Sequence, residues 1–100
     1  MKTEVIYRKF TDGQIIALFP YIIHNGYLIT CFTDEGHSGC DYDYIISKTK
    51  PAKEEEYKYR DRLLFNFYGY DTKPIFRINN KKYIKAVKQT NINKHKTIIK

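Results

Sequence analysis

Asp12-Gly13 separates two apolar runs, EVIYRKF ending at Phe10 and QIIALF ending at Phe19. An Asp-Gly pair in that position is the strongest short-range signal for a β-hairpin, because the turn needs residues that tolerate positive φ. The chain therefore begins as two antiparallel strands, and the rest must cover the sheet they start. Pro20 is expected to end the second strand, since it cannot donate a ladder hydrogen bond. Tyr21 to Asn25 then reads as a connector, with His24 facing solvent. Asn25-Gly26 is a second turn dipeptide, which launches a third strand over Tyr27 to Thr33. A loop from Asp34 to Asp41 follows, and the β-branched and aromatic run Tyr42 to Ser47 reads as a fourth strand.

Helical signals appear only after Pro51. Glu54, Glu55 and Glu56 suit the positive end of a helix dipole and Gly69 suits a left-handed C-cap, which predicts a helix over residues 53–68. Its buried stripe is expected to hold Tyr57, Leu64, Phe67 and Tyr68 with Leu63 at the margin, leaving Lys58, Arg62 and Asn66 in water. Beyond it, Pro74 to Ile78, the polar triplet Asn79-Asn80-Lys81 and Tyr83 to Val87 read as a second, basic hairpin. The order ββββαββ contains no βαβ unit and no internal repeat. It predicts an α+β fold in which a mostly antiparallel sheet packs against a single helix, as one domain over residues 1–87 with a basic C-terminal tail over 88–100. One hundred residues suffice for one core without disulfide or metal staples.

Three segments, RKFTDGQIIALFP, GHSGCDYDYII and TKPAKEEEY, occur in that order within roughly residues 6–71. Together they resemble a family of small, largely uncharacterised proteins of bacteria, phages and mobile elements. Its members open with RKF-x-DG-x-(V/I)IALFP, continue through G-(Q)-H-x-x-x-DY and reach a T-(R/K)-P-A-x-x-EEY helix start. The resemblance implies this fold rather than an activity. The chain departs from the pattern at two points. Gly36 directly precedes His37, where the pattern has a polar residue between, and Lys53 stands where a capping Thr or Ser is expected. The basic segment after Asp71 lies outside the resemblance.

Charge is distributed unevenly. Residues 1–50 carry five basic and six acidic groups, whereas residues 51–100 carry thirteen and five. From Lys73 to the end there are nine basic residues and no acidic one. Such a segment is expected to meet a polyanion, and Lys73, Arg77, Lys81, Lys82, Lys85 and Lys88 are its candidate contacts. Cys31 and Cys40 fit no zinc-binding spacing, so both are expected as free thiols in a reducing cytoplasm. The first ten residues show no signal-peptide pattern, and no apolar run approaches the ~18 residues of a membrane span.

His37, Asp41 and Tyr42, with Asp34, Glu35 and Asp43 nearby, form the densest set of chemistry-bearing residues. His with carboxylates is a ligand set of hydrolytic sites, but turns also attract Asp, Glu, Gly and Ser for backbone hydrogen bonding. No GxSxG, HExxH, GxxxxGK or GxGxxG occurs. The loop is read as structural, so no catalytic residue, metal ligand or cofactor is assigned. Two classes of function follow. The first is a small non-enzymatic binding protein that neutralises the phosphates of nucleic acid, or another polyanion, while exposed Tyr and Phe stack on bases. The second is a phage or mobile-element accessory protein that docks on and inhibits a host protein or nucleoprotein defence complex. A small His- or metal-dependent hydrolase using His37 ranks third.

Overall fold

A computed structural model describes residues 2–99, with side chains for residues 2–92. The expected first hairpin is present as β1 (Thr3–Phe10) and β2 (Ile15–Asn25), paired from Ile6↔Leu18 to Lys9↔Ile15. Gly13 takes φ 92°, and the Asp12 side chain accepts a hydrogen bond from the Gln14 amide at 3.0 Å. β2 does not stop at Pro20. The register with β3 (Leu28–Thr33) shifts between Phe19 and Ile23, and Pro20 sits fully buried inside that irregularity, where no ladder donor is required. The expected connector, Tyr21 to Asn25, is therefore strand. Asp34-Glu35 then turns the chain into β4 (Gly36–Cys40), so the expected loop is itself a tight hairpin, Thr33 opposite Gly36 and Phe32 opposite His37.

The stretch expected as a fourth strand is instead helix α1 (Tyr42–Lys48). Asp41 caps it by accepting from the Tyr44 amide at 3.3 Å, and Tyr42, Ile45 and Ile46 fall at helical spacing against the sheet. Arg8 fastens its other end. The guanidinium donates to the carbonyls of Ile46 at 3.2 Å and Thr49 at 2.6 Å, satisfying acceptors that a helix C-terminus leaves open. β5 (Thr49–Pro51) then pairs with β1, helix α2 (Glu54–Tyr68) crosses the sheet, and β6 (Thr72–Pro74) runs parallel to β1 further along the same edge. The sheet reads β4-β3-β2-β1-β5, with β6 also on β1. The fold is α+β and mostly antiparallel as expected, with three helices in place of one.

The third helix replaces the predicted basic hairpin. Asn79, read as part of a turn, accepts from the Lys82 amide at 3.2 Å and so starts α3 (Asn80–Ile99). Tyr83, Ala86, Val87 and Thr90 recur at i, i+3, i+4 and i+7 and are half-buried. The boundary expected at residue 87 falls inside this helix, and the segment read as a tail continues it. Side chains of that segment from residue 93 on lie outside the described residues.

Alternation along the strands divides the core in two. Val5, Tyr7, Ala17, Phe19 and Phe32 face α2 through Leu64, with Tyr57 and Tyr70 packed beside them. Ile6, Ile16, Leu18, Ile29 and Cys31 face the opposite side, covered by Ile45 of α1, by Ile78 ahead of α3 and by Tyr83 in its first turn.

Candidate functional site

The residues of the central segment do not converge. His37 lies on the α2 side of β4, against Phe32 at 4.9 Å and edge-on to Tyr68 at 4.9 Å between ring centres, with Tyr70 Oη 3.5 Å from its Nε2. Asp41 is occupied as the cap of α1, and Tyr42 begins that helix and packs on the core of the other face. Asp43 lies in the first turn of that helix rather than on a strand. Among the described residues no three His, Cys, Asp or Glu side chains group as a metal site would require. Cys31 and Cys40 are both free, on neighbouring strands. Hydrogen bonds from Cys40 and Ser38 draw the Cys31 thiol below its ordinary range.

Lys58, Arg62 and Asn66 are exposed as expected, but sequence reasoning gave Arg60 and Asp61 no place and so missed the polar contacts beneath α2. Arg60 is buried, its guanidinium over the Phe32 ring and 2.7 Å from Asp34 in the β3–β4 turn. Asp61 accepts hydrogen bonds from the Tyr7 hydroxyl at 2.5 Å and from Thr72, tying α2 to β1 and β6. Burial and the Asp61 carboxylate push the Tyr7 phenol well above its ordinary pKa. The chain offers Lys53 no capping side chain, and the Glu56 carboxylate supplies the complement by accepting from the Lys53 amide at 2.9 Å. Predicted core residues of this helix divide. Leu64 is fully buried, but Phe67 is 74% exposed and Tyr68 50%, Tyr68 meeting Phe32 and His37 edge-on.

The basic candidates come together on α3. Lys81, Lys85 and Lys88 lie at i, i+4 and i+7 on its outward face, all exposed and without an ion pair among the described residues. Ile84 and Ile92 share that face, each about half exposed. Lys82 turns the other way. Its ammonium reaches Glu4 at 2.9 Å and stands 5.4 Å from the centre of the Tyr21 ring, and the hydrogen bond to Glu4 raises its pKa. Lys73 in β6 and Arg77 in the bend before α3 are exposed as well. A groove of about 510 Å³ runs between α3 and the beginnings of the sheet, bounded by Lys2, Tyr21, Ile22, Lys85 and Ala86 among others. A shallower one continues along Lys81, Ile84, Lys88 and Ile92. Among the described residues, Tyr21 is the one aromatic side chain lining either groove. The exposed rings expected to stack on bases, such as Tyr59, Phe65 and Phe76, lie elsewhere.

No helix among the described residues is long and apolar enough to cross a membrane. No family model, no curated protein and no solved structure matches the chain.

Proposed function

We propose that the protein is a small non-enzymatic binding protein that meets a polyanionic partner, nucleic acid foremost, through the outward face of α3. The observation that carries this reading is the row Lys81, Lys85 and Lys88, exposed and unneutralised on one helix face, in a segment whose 28 residues from Lys73 on contain no carboxylate side chain. Each phosphate neutralised by a lysine releases condensed counterions, so three such contacts add about 2–3 to the slope of log affinity against log salt. Binding of a generic labelled oligonucleotide is expected to weaken steeply from low to physiological salt, and Lys81→Glu/Lys85→Glu/Lys88→Glu to abolish it. The substituted positions point to water, so the triple variant should melt with the wild type. Equal binding by the two proteins, or none by the wild type at low salt, refutes the reading.

A second reading draws on the other helix. Phe65 and Phe67, 62% and 74% exposed at the end of α2, are large apolar side chains in water. They suit docking on another protein, the role expected of a mobile-element inhibitor of a host complex.

A further inference from the structure

We infer that the groove between α3 and the start of the sheet seats an unpaired base, so that the partner class of this basic surface is single-stranded nucleic acid. The inference rests on the polyanion reading and narrows it. Lys82, Lys85, Ala86 and Gln89 recur at i, i+3, i+4 and i+7, so one stripe of α3 forms one wall, facing Lys2, Glu4, Tyr21 and Ile22 on the other. The rim is cationic: Lys2 and Lys85 are exposed, and Glu4, the one carboxylate among the described lining residues, is already matched by Lys82. The floor is apolar, made by Ala86, the Tyr21 ring and Ile22, which is 40% exposed. A volume of about 510 Å³ lies within the range of clefts that take a small organic ligand, room enough for one base.

Beyond the groove the same chemistry repeats. Lys85 belongs to both grooves, and from it Lys81 and Lys88 alternate with Ile84 and Ile92 along the helix. A duplex presents phosphates and sugars at its surface and would leave those isoleucines in water or press them against charge. A single strand presents both phosphates for the lysines and base faces for the apolar side chains. The sign of the preference separates the alternatives, because a surface acting by charge alone favours the more densely charged duplex.

The test is fluorescence anisotropy of the full chain at low salt with a labelled 15-nucleotide single strand, its duplex, and an abasic strand of the same backbone. The wild type is expected to bind the single strand about tenfold more tightly than either of the others, as one buried base allows. Ala86→Phe fills the groove and should bring the single strand down to the abasic affinity while leaving the duplex and abasic values unchanged. Ile22→Ala, a milder change at an exposed position, should move the same way by a smaller factor and guards against misfolding of the first variant. Equal wild-type affinity for the three probes, or an intact preference in both variants, overturns the groove assignment and leaves the polyanion reading standing. Absence of binding to all three, with binding to poly-glutamate retained, overturns the groove assignment and, with it, nucleic acid as the polyanion, in favour of an acidic protein partner.

Discussion

Two helices cover opposite faces of one sheet, and they are held by different means. α2 is locked from beneath, with Leu64 fully buried, Arg60 buried beside Asp34 and Asp61 shared by Tyr7 and Thr72. α3 rests on the half-buried Tyr83, Ala86 and Val87, on the Tyr83 hydroxyl donating to the Tyr27 carbonyl at 2.6 Å, and on the ion pair of Lys82 with Glu4. An exposed pair of that kind contributes little. The helix with buried polar anchors completes the core, and the helix without them presents charge. Similar amphipathic periodicity thus serves two ends, and what separates them is where the long polar side chains terminate.

The sharpest way to break this contrast is to shorten one apolar residue in each helix. Leu64→Ala is expected to cost about 2–5 kcal/mol of stability. Val87→Ala, at a half-buried position, should cost about 1 kcal/mol. Comparable losses in chemical denaturation would mean that α3 is as much a part of the core as α2. Between these two falls Asp61→Ala, which deprives the Tyr7 hydroxyl and Thr72 of their shared acceptor and should cost about 1–3 kcal/mol. An unchanged midpoint there would remove the polar anchor from the account of α2.

How much of this could be read from the sequence differs between the same two regions. The β1–β2 hairpin and α2 were legible because their boundaries are marked by residues with strong backbone preferences, Asp12-Gly13 before β2 and Gly69 after α2, where φ is 71°. α1 and α3 were misread for one reason. Each begins at a capping side chain, Asp41 or Asn79, and such residues mark turns as readily as helix starts. The helical spacing of Tyr42, Ile45 and Ile46, and of Tyr83, Ala86, Val87 and Thr90, was the signal that would have resolved each ambiguity. Residue type and strand propensity outweighed it. β6 is three residues long and left no periodicity to find. The charge of the C-terminal segment was plain from composition, but its geometry was not. Only the helix decides that Lys82 turns inward to Glu4 while Lys81, Lys85 and Lys88 share a face. Arg60 was invisible for the converse reason, since nothing in a sequence distinguishes an arginine in water from one lying over an aromatic ring.

The central claim is that α3, and not the aromatic end of α2, is the surface that meets a partner. Backbone amide chemical shifts of the isotopically labelled protein, followed while a single-stranded oligonucleotide is added at low salt, test it residue by residue. The account predicts that shifts concentrate on residues 81–89 with Lys2, Tyr21 and Ile22, and that residues 65–68 remain still. Shifts centred on Phe65 and Phe67, with α3 unmoved, would contradict it.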